Sequence, residues 1–538
     1  MISAFILFLL GFWFIRDIKY ILFWVYLWQL KQYHTGRFFS HFNTEQGQKL
    51  IFNPVLISKG LLVFVWVLSA IPIFEAVSLI LVPLLFLIYF GEAAIYAKAV
   101  VYKKIKIPKF TKKTAVLSGA SFLVAFVFAI GLALLLKTTY WLGFSLLFFD
   151  ILIPVIVSAV VLAFQPLADY YRLSLQDKAK AKINELKKKL TIIAVTGSYG
   201  KTSTKEYLRT ILASKFRVLA TADHRNTEVG IPLTILNDLT ADHEILIAEI
   251  GAYDQGTIKR TCEFLQPKIG LVTGVNEQHL SLFGSMDNLL SAEGGRELLD
   301  CLPANGFLAV NGENKYCRDL YSSAKIDKLA YSFDQLKNVI VETSSISFSF
   351  ENKNFRLNIL GKHNMLNLLG AIQVAMKIGM TIDEVLHTVQ KIDMKQNSYK
   401  LYRGTSGKEG ITIIDSTYSA NPDGVIADLE YLKLFQGKKI IVMPCLIELG
   451  EAGESVHAKI GKKISEICDL GIVTTKEYCK ELRGDSKNIL CLDEPALVLE
   501  KLRGYYSSDV TVLLEGRLQE GLAEKIKKDA GASYVEEK

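Results

Sequence analysis

Residues 115–136 (AVLSGASFLVAFVFAIGLALLL) carry no charge over 22 positions. As a helix that run is about 33 Å long, enough to cross the hydrocarbon core of a bilayer. No other feature restricts the fold as much, because so apolar a segment needs lipid or a deep core around it. Residues 141–164 form a second run, broken only by Asp150 and Pro154, and residues 76–97 form a third. Residues 61–74 are short for a crossing and are read as the hairpin partner of the third. Residues 2–30 are apolar but interrupted by Arg16, Asp17 and Lys19. They are read as one long helix that enters the bilayer and continues along its interface. They lack a basic start and a small-residue cleavage site, which argues against a removed signal peptide. The reading for 1–166 is therefore a transmembrane helical region of about five spans. A charge inside a bilayer is costly. Asp150 is accounted for equally by a function and by a paired helix contact, and no site is assigned to it.

Half of the residues are hydrophobic, but the excess lies almost wholly before Pro166, so a membrane part is joined to an ordinary soluble part. The net charge of +8 does not point to nucleic acid. Lys and Arg crowd 98–113 (KAVVYKKIKIPKFTKK) and 177–189 (DKAKAKINELKKK), and no interleaved aromatic and basic pattern occurs elsewhere. By the positive-inside rule both segments are cytoplasmic. That expectation makes the chain a multi-pass protein of the inner (plasma) membrane, with membrane lipids as partners and its C-terminal part in the cytoplasm. All seven Cys follow residue 260 with no CxxC pair, which reads as reduced thiols rather than disulfides or a zinc site.

After a basic linker, 167–190, the pattern changes to strands alternating with helices. TIIAVT (191–196) is a short buried strand, and TGSYGKTS (196–203) leads into an amphipathic helix. Thr196, Gly197, Ser198, Gly200, Lys201, Thr202 and Ser203 thus form a candidate phosphate loop. Its glycines let backbone amides turn toward phosphate oxygens, Lys201 reaches the terminal phosphates and Thr202 can ligate magnesium. The spacing departs from the usual P-loop, whose first glycine position is Val195 here. Glu249 closes the apolar strand EILIAEI, where a carboxylate would complete a magnesium site with Thr202. A solvent-facing Glu at a strand edge is the plainer alternative.

The loop resembles the TGSxGKT of the Mur ligases, ATP-dependent enzymes that build the peptide stem of peptidoglycan. Further motifs follow in the family's order. They are NTEVGIPLTIL (226–236), ILIAEIGAYDQGTI (245–258), VTGVNEQHLSLFGS (272–285), GKHNMLNLLGA (361–371), IIDSTYSANPDG (413–424) and IELG (447–450). The nearest likeness is to the member that adds D-alanyl-D-alanine. The resemblance implies an α/β, P-loop central domain at 191–395 and a Rossmann-like C-terminal domain at 396–538, with ATP between them. It implies that His279 helps hold a second magnesium, that His363, Asn364 and Asn367 face the adenine, and that Asp415, Tyr418 and Asn421 lie against the nucleotide. Lys400 stands where the family usually has an arginine, keeping the charge without the bidentate fork. A carbamylated lysine of many members maps to Glu293, which could supply anionic oxygens to the second metal directly. Glu293 on an exposed helix face is the other reading.

The implied activity is that of a membrane-anchored ATP-dependent carboxylate–amine ligase using ATP and Mg2+, acting through an acyl phosphate. Its catalytic residues would be Lys201, Glu249, His279 and Lys400. The acceptor would be a muramyl peptide or another carboxylate, carried on a lipid or free, and the donor an amine. Helices occupy the place of the family's UDP-sugar domain, and KGSR becomes EGRL (515–518), so the substrates stay open. A ligase for another surface polymer such as poly-γ-glutamate and a non-enzymatic ATP-switched membrane protein are the alternatives.

Overall fold

The computed structural model describes residues 4–534, apart from 43–44, 70–74, 103–104, 137–138, 223–224, 393–399, 405–410, 419 and 507–508. It divides into two units, Met1–Tyr171 and Arg172–Lys538. The expected boundary at 395/396 lies outside the described residues.

The first unit is helical. It contains α1 (Ala4–Leu30), α2 (Pro54–Leu68), α3 (Glu75–Val101), α4 (Lys112–Leu135) and α5 (Thr139–Ala163). Asn53 accepts a hydrogen bond from the Val55 amide at 2.8 Å, and Pro54 takes the first helical position. This N-cap starts α2 seven residues before the expected 61. Among the described residues four stretches are long and apolar enough to cross a membrane: Gly47–Leu68, Ile80–Val101, Lys112–Leu132 and Tyr140–Leu186. The helix α1 is not one of them, since it carries Arg16, Asp17 and Lys19. α1 packs on α3, α4 and α5, and it buries Trp13, Val25 and Trp28 completely. Arg16 and Asp17 are also buried, because their partners lie inside the bundle.

The helix α6 (Gln165–Leu186) leads from one unit into the other. Residues 167–190 were expected to be a linker, but from Arg172 onward they belong to the second unit's fold. Ala179 and Ile183 join its core, Arg172 pairs with Glu228 at 2.9 Å, and the Lys182 amine donates to the Leu236 carbonyl at 3.0 Å. A helix with one small and apolar face buries that face and leaves its lysines outside.

The second unit holds two α/β sheets. The first runs β2 (Val218–Ala220), β3 (Ile245–Glu249), β1 (Thr191–Thr196), β4 (Ile269–Val272), β5 (Phe307–Asn311) and β6 (Asp327–Tyr331), all parallel. Three antiparallel strands follow: β7 (Lys337–Val341), β8 (Ile346–Phe350) and β9 (Lys353–Leu357). The other large sheet contains β10 (Lys400–Gly404), β11 (Ile411–Ser416), β12 (Lys438–Met443), β13 (Leu470–Val473), β14 (Ile489–Cys491), β15 (Val510–Glu515) and β16 (Ala532–Tyr534). Its order is β14-β13-β12-β15-β11-β10-β16. Uninterrupted apolar strands such as TIIAVT fit a sheet covered on both faces, and five of the six residues of β1 are buried. In the first sheet β1 lies between β3 and β4, so successive connections leave it in opposite directions. The crevice at that reversal, at the strands' carboxyl ends, is where open α/β sheets bind ligands.

One expectation fails in the C-terminal sheet. Cys479 and Cys491 form a disulfide with a Cα–Cα distance of 6.1 Å, so the thiols are not all free. The two cysteines are twelve positions apart, one opening the short helix Cys479–Arg483 and the other ending β14, and the packing of that helix on β14 brings them together.

Candidate active site

The phosphate loop occupies that crevice. β1 ends at Thr196, and α7 (Lys201–Leu212) starts after four intervening residues. Gly200 caps α7 with φ of +77°, and a Cβ there would meet Asn367 Oδ1 at 2.5 Å. Glycine is required for the conformation and for the close approach of α8 (His363–Lys377) to the loop. The Ser198 amide donates to the Gly274 carbonyl at 2.7 Å, and the Lys201 ammonium lies over the loop, donating to the carbonyls of Gly197 and Ser198. Thr196 and Ser203 are buried in the walls beneath.

Two carboxylates flank the loop. The first is Glu249, the last residue of β3, brought beside Val195 by the parallel register. Its Oε1 accepts from Thr202 Oγ1 at 3.2 Å and from Asn226 Nδ2 at 2.9 Å, and Lys205 lies 3.6 Å from its Oε2. The second is Glu293, which follows the helix Met286–Ala292 and is 1 % exposed. This excludes the exposed-helix reading. It accepts from Ser198 Oγ at 2.7 Å, and the ring of His279 meets its Oε1 through Nδ1 at 2.8 Å. Burial pushes the Glu293 carboxyl up, but His279, Lys201 and the Ser198 hydroxyl outweigh it and hold the group below the ordinary carboxylate range. The two glycines after it have a reason. Gly295 sits at φ +85°, and a Cβ there would lie 2.6 Å from Val272 Cγ2. The tight turn holds Glu293 inward.

The sequence-derived residues do not all converge. His279 ends a short 3-10 turn, Glu277–His279, which follows β4 after four intervening residues. Thr202 and Glu249 form one pair and His279 and Glu293 another, and among the described residues no group of three His, Cys, Asp or Glu side chains surrounds a common point. The oxygen donors at the loop nevertheless suit a hard cation such as magnesium. Asn364 turns its amide to the Leu360 carbonyl at 2.7 Å, and Asn367 donates to Asn364 at 3.3 Å. His363 is half-buried, and desolvation holds its ring below the usual imidazole range.

The C-terminal domain meets this crevice through α9 (Pro422–Leu432) and the loop before it. Asn421 caps α9, and Asn276 donates to its Oδ1 at 2.9 Å and to Asp423 at 3.2 Å. Tyr418 is half exposed in the same loop. Asp415 lies at the end of β11, accepting from Thr417 at 2.6 Å and pairing with Lys527 at 3.1 Å. Burial raises this carboxyl, while Thr417 and Lys527 lower it further, so it stays ionised. Lys400 lies opposite Asp415 in the antiparallel register and is exposed, away from the phosphate loop's hydrogen bonds. Lys527 was missed, because no motif marks a lysine 112 residues from its partner. In EGRL, Glu515 is buried against Asp428 and held well above the carboxylate range by burial and that neighbour. Arg517 instead lines a cavity of about 220 Å³ with Thr417, Gln519 and Glu524.

Residues 195–375 match the family described as the Mur ligase middle domain, and residues 403–518 match the one described as Mur ligase, glutamate ligase domain. Both domains are those of a Mur ligase. The matches cover the phosphate loop, Glu249, His279, Glu293 and the helix carrying Asn364 and Asn367, and then the sheet carrying Asp415. The chain is similar to the UDP-N-acetylmuramoyl-tripeptide--D-alanyl-D-alanine ligase of Bacillus subtilis, 28% identical over 54% of this chain and 64% of that protein. It is likewise 28% identical to the Escherichia coli enzyme of the same name, over 50% and 61%. The chain therefore spans less than two thirds of these relatives. Among solved structures it is similar to MurF from Acinetobacter baumannii, with a TM-score of 0.61, 22% identity and coverage of 66% and 80%. The MurF ligase from Thermotoga maritima in complex with ADP gives 0.57, 25%, 67% and 84%. The two family matches leave residues 1–194 outside them.

Proposed function

We propose that the chain is an ATP-dependent amide ligase held in a membrane, joining an amine to the carboxylate of a muramyl peptide or a related surface-polymer precursor. One observation carries the reading. Two buried carboxylates, Glu249 and Glu293, bracket a phosphate loop whose hydroxyls, Thr202 and Ser198, each bond one of them. That arrangement suits a magnesium nucleotide whose γ-phosphate leaves under charge neutralisation.

Magnesium, when bound, would be held by Thr202 and Glu249 on one side and Glu293 with His279 on the other, drawing negative charge from the phosphates. The chain's own residues do the remainder. The amides at the start of α7 and the Lys201 ammonium hold the phosphates. The acceptor carboxylate attacks the γ-phosphorus and ADP leaves; the amine nitrogen then attacks the acyl carbon, inorganic phosphate leaves and an amide remains. Asn276, through Asn421 and Asp423, keeps the C-terminal domain over the crevice so that the amine arrives in line. The cavity at Thr417, Arg517 and Gln519 is the amine's station, with Arg517 meeting a carboxylate on it.

The membrane part of the reading is supported by the first unit's outward faces. Leu7, Phe8, Phe64, Leu87, Leu123 and Val127 each expose more than half of their surface, far more apolar area than water tolerates on one face. The test is amine-dependent phosphate release by the full chain in lipid nanodiscs. UDP-muramyl tripeptide, a lipid-linked muramyl peptide and polyglutamate are offered in turn, with D-alanyl-D-alanine or single amino acids. Phosphate release with no amine requirement sinks the proposal.

A further inference from the structure

Five ionisable side chains from four helices meet inside the N-terminal unit. Arg16 and Asp17 come from α1, Lys59 from α2, Glu92 from α3 and Asp150 from α5. Arg16 Nη1 lies 2.6 Å from Asp150 Oδ1 and 2.7 Å from Asp17 Oδ1, and its Nε lies 3.3 Å from Glu92. Lys59 Nζ bridges Glu92 at 2.7 Å and Asp150 at 2.9 Å, and Trp13 Nε1 donates to Asp150 at 3.0 Å. The Tyr20 ring stacks under Arg16. The helix α4, also packed on α1, brings no charge beyond Lys112 and Lys113 at its start.

The charges do not balance. Three carboxyl groups face two fixed cations, which leaves one negative charge if all are ionised. Arg16, Asp17, Lys59 and Asp150 are each 2 % exposed or less. A net charge so deeply buried is costly, whereas a proton removes it. Two further observations point the same way. Among the described residues Asp17 Oδ2 has no hydrogen-bond partner, and neither has the hydroxyl of Tyr89, which is wholly buried and faces Arg16, Asp17, Glu92 and Asp150. Among the described residues Asp17 is also the carboxyl with fewest cations, since Arg16 alone pairs with it, while Asp150 has Arg16 and Lys59 and accepts from Trp13. Other ligands fit poorly. An anionic headgroup would meet a net negative centre, and no three of the carboxylates surround a common point as a metal cage requires.

We propose that this centre is a proton-binding site, holding one proton per chain on Asp17. The proton comes from water and returns to it; Glu92, whose side chain is 18% exposed, is the least buried member of the centre and shares both Arg16 and Lys59 with the other acids. On its loss the electron pair stays on Asp17, and the centre gains the uncompensated charge. The site stands apart from the ligase reading, for a chain without ligase turnover would still hold this proton.

The test compares Asp17→Asn with Asp150→Asn in the full chain in nanodiscs. An amide mimics a protonated acid, so Asp17→Asn should leave the melting temperature at pH 7 within a degree or so of the native value. Asp150→Asn, which strips an acceptor from two cations, should lower it by roughly 10 °C. The infrared difference between native and Asp17→Asn should show one protonated-carboxyl band that shifts in heavy water. Equal destabilisation by both variants, with no such band, would mean an ionised structural staple and overturn the proposal. So would a melting temperature raised by sodium over choline at fixed pH, which would make the ligand a metal cation. If Asp17→Asn does not accumulate, native protein labelled with 13C-aspartate decides. A protonated aspartate band that persists in Asp428→Asn supports the site, and its absence refutes it.

Discussion

Glu293→Gln keeps the shape of the side chain and removes its charge. Ser198 can still donate to the remaining amide oxygen, but the His279 ring loses a carboxylate at 2.8 Å, and Lys201 loses the nearby negative charge. Hydrogen bonds to charged groups contribute about 1.5–3 kcal/mol each. Loss of one such bond, with the charge it presents to the phosphates, should cost roughly 3 kcal/mol of transition-state stabilisation, on the order of a hundredfold in turnover. The stability cost should be smaller, since burial already disfavours the charge that the substitution removes. The assay is amine-dependent phosphate release across a magnesium titration, with a thermal melt alongside. The expected outcome is turnover reduced about a hundredfold, half-saturation moved to higher magnesium and a melting temperature nearly unchanged. Native turnover and native magnesium dependence in Glu293→Gln would refute the reasoning, and would leave Glu293 as a partner of His279 alone.

Four other outcomes follow from the same geometry. Lys201→Met should abolish measurable turnover while the melt stays near native, because among the described residues the ammonium hydrogen-bonds only its own loop; a partial loss below tenfold would contradict its placement on the phosphates. Gly200→Ala should weaken nucleotide binding and lower stability by about 1–3 kcal/mol through the left-handed backbone and the contact with Asn367, read by ADP titration and melting. For Asp415 the folded pKa is below the unfolded one, so its stabilising contribution is full above about pH 4 and fades as pH falls through the folded value; Asp415→Asn should flatten that acid limb of the stability curve. Cys491→Ser should lower stability by about 3 kcal/mol in oxidising buffer and leave it unchanged in dithiothreitol, since only the closed twelve-residue separation is lost.

Local patterns carried most of what could be read in advance. The phosphate loop, Glu249 and the helix of Asn364 and Asn367 lie on single strands or helix starts whose periodicity shows in the chain itself. Glu293 was reachable by counting forward from Ser285, but its burial was not, since that depends on a turn at Gly295 tight against Val272. Long-range pairings were invisible. Arg16 and Asp17 looked like interruptions of an apolar run because the carboxylate that accepts Arg16 is on α5, and Trp13, one turn before, bonds it across 137 residues. Lys527 with Asp415, and Cys479 with Cys491, were hidden for the same reason. Residues 167–190 read as a linker because of their lysines, whereas the buried face of α6 rests on Leu175, Ala179 and Ile183, with Gln176 beside them.

The bond from Asn276 to the cap of α9 has a thermodynamic consequence. The crevice is bridged by Asn276 to Asn421 and Asp423, Gln278 to the Ala420 carbonyl and the Ser281 amide to the Glu448 carbonyl. At about 1 kcal/mol net each, these four bonds favour the shut arrangement by roughly 4 kcal/mol, so about one molecule in a thousand stands open at any moment. Asn421 keeps its cap on α9 when Asn276 lets go, so the gap can widen without unwinding a helix. Nucleotide exchange then draws on a minor population that exists before any ligand arrives, and a substitution at Asn276 should speed ADP departure in proportion to the bonds it removes.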